Sequence, residues 1–144
     1  MSDTVSDQIP TPRIMPPVND RNRHFWTGGA VGELQILRCQ ACRFWIHPPV
    51  GTCPACGATT LAPEATTGIG TVFTFTINRH PYNPSVPIPY VIAIVELDDQ
   101  PDLRFTTNIV HCEPEAVTIG IPVRVVFEHH EDVYVPVFEP IEPA

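Results

Sequence analysis

Four cysteines in two short pairs limit what this chain can fold into more than any other feature: Cys39-Gln-Ala-Cys42, then Cys53-Pro-Ala-Cys56, with ten residues between the pairs. Two residues between cysteines let both thiolates of a tight knuckle face one ion. Two knuckles complete a tetrahedral four-sulfur shell, which suits zinc. Such a shell leaves no position for water or substrate, so a metal on Cys39, Cys42, Cys53 and Cys56 is expected to hold structure, and reactivity has to be sought elsewhere. Gly57 follows the second knuckle, where the backbone often needs positive φ; Arg43 fills the matching slot of the first. The same residues would also take a rubredoxin-like iron, or pair as two disulfides in a secreted domain. Met1 to Asp20 is polar and proline-rich and carries no apolar core of a secretory signal, so a reducing compartment and a metal are the expectation.

Composition narrows the class. At 144 residues, 43% of them hydrophobic, the chain is one ordinary domain or two small modules sharing a core. Its longest apolar run, Tyr90 to Val95, fits a buried strand and falls far short of a membrane span, so a cytoplasmic protein with no membrane partner is expected. Net charge is −8, and all eight basic residues are arginine, spread along the chain against sixteen carboxylates. Single-strand binding draws on a basic track, and no cluster of three basic residues occurs, so nucleic acid is not an expected partner.

Along the chain, residues 1–18 read as a flexible lead and 141–144 as a tail. Residues 19–66 carry a short helix and the ribbon: Asn19 or Asp20 caps the helix, Arg21 to Trp26 form its body, and Gly28-Gly29 stop it. Phe25 and Trp26 are adjacent and therefore point apart, so one of them is a candidate partner contact unless both pack on the ribbon. Residues 67–140 alternate as strands. Gly70 to Asn78 puts Phe73, Phe75 and Ile77 on one face; Tyr90 to Leu97 is apolar on both and should lie centrally; Leu103 to Val110 and Val123 to Phe127 follow. Val133 to Val137 ends the set, with Pro136 marking an edge. Five strands with one helical turn after the third predict a mainly β chain: N-terminal helix, rubredoxin-like ribbon, then a five-stranded OB-fold barrel.

No self-sufficient active site can be assembled. His111 and Cys112 are neighbours on a strand and point to opposite faces, so the histidine cannot readily deprotonate the thiol. His129-His130, beside Glu128, Glu131 and Asp132, reads as a polar hairpin loop. A stand-alone thioesterase or hydratase using His80 or His111 as base would lack a second catalytic group.

With these pieces placed, the chain resembles the zinc-ribbon/OB-fold family associated with acyl-CoA metabolism, long catalogued as a domain of unknown function. The residues that carry the likeness are Phe25-Trp26-x-Gly28, Gly32-Glu33-Leu34, the four cysteines around His47-Pro48-Pro49, and Gly68-x-Gly70-Thr71-Val72. Pro89-Tyr90-Val91, Val95-Glu96-Leu97, Thr107-Asn108-Ile109-Val110 and Gly120-x-Pro122-Val123 complete it. Leu61 departs, standing where relatives often carry tryptophan. The resemblance implies a non-catalytic accessory subunit with structural Zn2+, sharing an acyl-CoA thioester with a thiolase-fold partner in a heterotetramer. It is most similar to the partner of lipid-transfer-protein-type aldolases, which cleave steroid side-chain CoA thioesters by retro-aldol chemistry. The loop between the first two barrel strands lies where OB folds usually contact ligands: either Arg79 pairs with a CoA phosphate and Tyr82 stacks on adenine or packs on the partner, or the loop is a proline-stiffened surface segment whose polar groups meet water; His80, Asn108, Phe25 and Trp26 are further candidate contacts.

Overall fold

The computed structural model describes residues 13–141; residues 1–12 of the expected lead and 142–144 of the expected tail lie outside the described residues. Asn19 anchors the turn that leads into the only α-helix among the described residues, its side chain accepting from the Arg21 and Asn22 amides and its carbonyl from Arg23, but the N-cap is Asn22 and not Asn19 or Asp20. The helix α1 is short, Arg23–Thr27, and stops at Gly28, its C-cap, where the glycine pair predicts. The chain then tightens into a 3₁₀ turn, Gly28–Val31, that ends at Gly32, which takes the left-handed conformation at φ 74°. Gly29 also serves close packing: a Cβ there would sit 2.5 Å from Tyr134 Cβ and 2.6 Å from the Phe127 ring. That approach seats the turn against the barrel wall.

Two sheets follow. The ribbon sheet has the order β2-β1-β3, built from β1 (Gln35–Cys39), β2 (Trp45–Ile46) and β3 (Leu61–Ala65), all antiparallel. The second sheet is a closed barrel of β4 (Ile69–Asn78), β5 (Tyr90–Leu97), β6 (Arg104–Ile109), β7 (Pro122–His130) and β8 (Val133–Pro140), in the order β4-β5-β6-β8-β7. A single 3₁₀ turn, Pro114–Ala116, links the third and fourth barrel strands. This is the five-stranded OB architecture that the strand count predicts. Among the described residues no helix is long and apolar enough to cross a membrane.

Strict alternation explains most of the core. On β5, Val91, Ala93, Val95 and Leu97 are buried while Tyr90, Ile92, Ile94 and Glu96 are half-exposed, and the strand lies between β4 and β6. Alternation fails on β4. A bulge between Val72 and Thr74 shifts the register, so Val72, Phe75 and Ile77 join the core and Phe73 turns out to solvent, 45% exposed under the Arg104 guanidinium at 3.8 Å. Pro136 does not mark a free edge either: β8 lies between β7 and β6, and the Pro136 carbonyl accepts from the Thr107 hydroxyl at 3.1 Å. His129 and His130 belong to β7, and the hairpin turn is Glu131-Asp132 alone.

One apolar core serves both sheets. Phe25, Leu34, Ile36 and Trp45, from α1 and the ribbon, pack in the same cluster as Val95, Phe105, Phe127 and Phe138 of the barrel. Each fully buried side chain of this kind contributes roughly 1.5–3 kcal/mol. Gln100, in the β5–β6 turn, ties the two together through the backbone: the Trp45 N–H donates to its Oε1 at 2.9 Å, and its Nε2 donates to the Trp45 carbonyl at 3.0 Å.

Candidate functional site

The two knuckles are built to one plan. The Arg43 amide donates to the Cys39 carbonyl and the Gly57 amide to that of Cys53, while the Cys39 and Cys53 amides donate to Phe44 and Ala58. Both turns require positive φ at the residue after the second cysteine: Gly57 has φ 81° at no cost, and Arg43 has φ 70° against the usual preference of a side chain-bearing residue. Arg43 recovers part of that cost by pairing with Glu64 at 2.8 Å, which also accepts from Gln40 and Arg38.

The sulfurs converge. Cys39 and Cys56 Sγ are 3.6 Å apart, Cys42 and Cys53 Sγ are 3.7 Å apart, and all four lie within 4.8 Å of one another. A tetrahedron with metal–sulfur bonds of about 2.3 Å places sulfurs about 3.8 Å apart, so the set fits zinc. No disulfide forms. The Cys42 amide donates to Cys39 Sγ and holds that thiol down to about 6, against the opposing effect of burial. The Phe44 amide acts the same way on Cys42, but burial and the three neighbouring sulfurs outweigh it and push that thiol up to about 12. Binding a divalent ion therefore has to expel protons. The four cysteines supply every ligand, which leaves a structural ion and no open coordination position.

A second feature lies on the barrel. Three cavities run end to end along the outer face of β5 and β6, of about 330, 260 and 300 Å³. The first is walled by Val86, Pro87, Tyr90 and Val110; the first and second share Arg13, Ile92 and Asn108; the second and third share Phe25, Trp26 and Thr106. The third ends on His47 and Pro49 of the ribbon. The groove thus joins the long β4–β5 loop, the barrel, α1 and the ribbon, on the face where OB folds commonly receive ligands.

Three of the sequence-derived contact residues meet in this groove, and three do not. Phe25 is buried, stacked on His47 at 4.9 Å and edge-on to Phe105 at 5.9 Å, so it floors the junction of helix, ribbon and barrel and does not belong to the ribbon's own cluster. Trp26 is half-buried against the barrel. Asn108 donates to the Val91 carbonyl at 2.8 Å and accepts from Arg13 at 3.3 Å. Arg79, His80 and Tyr82 stand apart in the β4–β5 loop. Arg79 pairs with Glu115 at 2.9 Å, and Tyr82, 78% exposed, lies against His80. Sequence reasoning missed Arg13, Ile92, Glu128 and His47, because no local pattern announces residues that only the barrel brings together. One signal was present: Arg13 is the sole cation of the proline-rich lead.

No catalytic set gathers at either feature. Burial, and then Glu113, push the Cys112 thiol up and keep it protonated. His111 turns away from it to Glu139, at 2.6 Å, which Arg124 holds from the other side at 2.7 Å. Burial, together with the nearby His24, pushes His47 down to about 4, so it is neutral at pH 7.

Comparison with known proteins agrees with this geometry. Residues 26–62 match the rubredoxin-like zinc ribbon domain of ChsH2, and residues 64–128 match its C-terminal OB-fold domain. A solved structure described as the Ltp2-ChsH2(DUF35) aldolase contains a chain similar over 88% of this one and 98% of its own length, at 33% identity and a TM-score of 0.78. The 3-oxo-4,17-pregnadiene-20-carboxyl-CoA hydratase alpha subunit of Mycobacterium tuberculosis is 31% identical over 140 residues, 96% of this chain and 44% of that protein. A DUF35 domain-containing scaffold protein of Methanocaldococcus jannaschii is 38% identical over 93 residues, 63% of this chain and 64% of its own. The chain spans less than half the length of the mycobacterial relative.

Proposed function

We propose, on the premise that this chain belongs to the DUF35 family of ChsH2-type zinc-ribbon/OB-fold proteins, that it is a non-catalytic accessory subunit of a thiolase-like acyl-CoA enzyme. Zinc, supplied by four cysteines alone, fixes the ribbon and carries no chemistry. What the chain's own residues do is bind and position. The ribbon and α1 set Phe25, Trp26 and His47 at one end of the groove, the barrel sets Ile92 and Asn108 at its middle, and Tyr82 and Arg79 project from the loop beyond. The single observation that carries this reading is the closed four-sulfur shell, whose cysteines supply every ligand, in a ribbon that ends a groove with no Ser, Cys or Lys among its described lining residues.

The finer reading is an aldolase complex that cleaves steroid side-chain CoA thioesters by a retro-aldol step, with the thiolase-fold partner holding the catalytic groups in a cytoplasmic heterotetramer. Support comes from the aldolase neighbour and from the pregnadiene-carboxyl-CoA named for the mycobacterial relative. The CoA thioester would lie between the two chains, with Arg79 and Tyr82 within reach of its nucleotide end. The hydratase activity in that relative's name belongs to a protein more than twice as long, so it need not reside in the matched part. A single-stranded nucleic-acid reading, which the OB fold invites, has little to stand on: seven of the eight arginines are already paired with carboxylates, on a chain of charge −8.

The test is to mix the purified chain with acyl-CoA thioesters, with and without a thiolase-like protein that copurifies with it. The reading expects no turnover by the chain alone and cleavage by the pair. Turnover by the chain alone overturns it.

A further inference from the structure

Residues 13–18 cross the outside of the barrel with no backbone hydrogen bond to it among the described residues. Pro16 and Pro17 have no N–H to give. Side chains hold the segment to the barrel, and the Pro17 carbonyl accepts from Asn22 Nδ2 at 3.0 Å. Met15 and Val18 lie on a patch of Val126, Val133, Val135 and Val137, while Ile14, just before them, is 93% exposed. Arg13 reaches Glu128 at 2.8 Å and Asn108 at 3.3 Å. Glu128 shares the outer face of β7 with Val126, because Val125 and Phe127 point into the core. This carboxylate is only 9% exposed, and a buried carboxylate needs a counter-charge; Arg13 supplies it, and the His130 ring is a further polar neighbour at 3.3 Å. Arg13 also lines both the first and second cavities of the groove, so its side chain is the partition between them. Its Nε is buried and has no acceptor among the described residues.

We propose that residues 13–18 are a displaceable strap, seated on a docking surface for an extended polypeptide segment of a partner that offers one cation to Glu128 and apolar side chains to the valine patch. The existence of such a partner rests on the accessory-subunit reading; the latch itself does not. Charge selects the occupant, since the charged group that Arg13 meets on the patch among the described residues is a buried carboxylate, on a chain whose net charge is −8. The strap supplies that pattern in cis and keeps a valine surface covered that would otherwise be exposed to water. When it lifts, Glu128 and the valines are bared together, and the two cavities that Arg13 divides become one trough.

Trypsin reads the latch directly, because it cuts after an arginine only when the side chain is free to enter its pocket. In the unmodified protein, cleavage after Arg13 is expected to be about 10-fold or more slower than after Arg79 in the exposed loop, since it waits on local opening. Glu128→Gln is expected to raise the Arg13 rate by about 10-fold while the Arg79 rate stays within about twofold, which separates strap release from unfolding. For the docking surface, a synthetic peptide of residues 13–20 is titrated into the Arg13→Ser variant. It is expected to shift the resonances of Val133, Val135 and Asn108, and to leave the Arg13→Ser/Glu128→Gln double variant unchanged. Equal cleavage after Arg13 and Arg79 in the unmodified protein, an unaltered Arg13 rate in Glu128→Gln, or a peptide that binds both variants alike or neither, overturns the proposal. None of those results touches the accessory-subunit reading, which copurification tests.

Discussion

The ribbon and the barrel solve the same problem with different resources. The barrel closes on itself and buries a continuous apolar core rich in valine and phenylalanine. The ribbon has three strands, one of them two residues long, and its own cluster holds just Cys39, Ile46 and Cys53 with a few half-buried neighbours. Metal ligation supplies what packing cannot: structural zinc of this kind contributes on the order of 10 kcal/mol to folding. The difference is one of independence. The barrel is held by buried area, whereas the ribbon, with so small a core of its own, is expected to depend on its ion. Yet the two are not separable, because the ribbon's inner residues Leu34, Ile36 and Trp45 are part of the barrel's core.

The largest effect should come from breaking the ribbon. Cys53→Ser is expected to abolish zinc retention, measured by elemental analysis, and to melt the ribbon, seen in amide exchange of β1–β3. The shared core predicts that the barrel strands persist with a melting temperature lowered by ten degrees or so. Barrel strands that lose all protection would show that the two halves are one unit. Next in size, Phe127→Ala removes a fully buried ring of the barrel and is expected to cost about 3–5 kcal/mol in denaturant unfolding, with zinc still bound in the remaining folded fraction.

A smaller effect is expected at the seam. Gln100→Ala deletes two hydrogen bonds to the Trp45 backbone and should cost about 1–3 kcal/mol. Its signature is faster amide exchange at Trp45 and Ile46 with barrel rates unchanged. Acid probes the same seam. The folded protein holds His47 neutral down to a pKa of about 4 against an ordinary 6.5, so unfolded chains bind the proton first as pH falls. Stability from this residue is complete above pH 6.5 and lost progressively between there and 4; His47→Phe should flatten that part of the pH–stability curve. The smallest effect is expected from Arg43→Gly, where relief of positive φ and loss of the pair with Glu64 nearly cancel, leaving a change within about 1 kcal/mol. Loss of zinc in that variant would mean Arg43 does more than fill a turn.

Legibility in the sequence tracked the range of the interactions. Cysteine spacing is a local code, and it named all four ligands. Period-two alternation is equally local and found Val123, Val125 and Phe127 of β7, while the unbroken apolar run of Tyr90 to Val95 located β5. It failed at Phe73, where one extra residue in β4 reverses every side chain beyond it and nothing in Val72-Phe73-Thr74 announces the insertion. Gly28-Gly29 were legible as the end of the helix, but not the packing role of Gly29, which is set by Phe127 and Tyr134 far along the chain. The groove was half visible: Phe25, Trp26 and Asn108 stood out by type and motif, whereas Arg13, Ile92 and Glu128 become a site only when β5, β6 and β7 lie side by side.

Native mass spectrometry of the chain, isolated with whatever binds it, tests the central claim most directly. One zinc per chain, retained within a hetero-oligomer that also contains a larger acyl-CoA enzyme, is the predicted result. A monomer that carries no zinc, or that turns over acyl-CoA thioesters by itself, would contradict it.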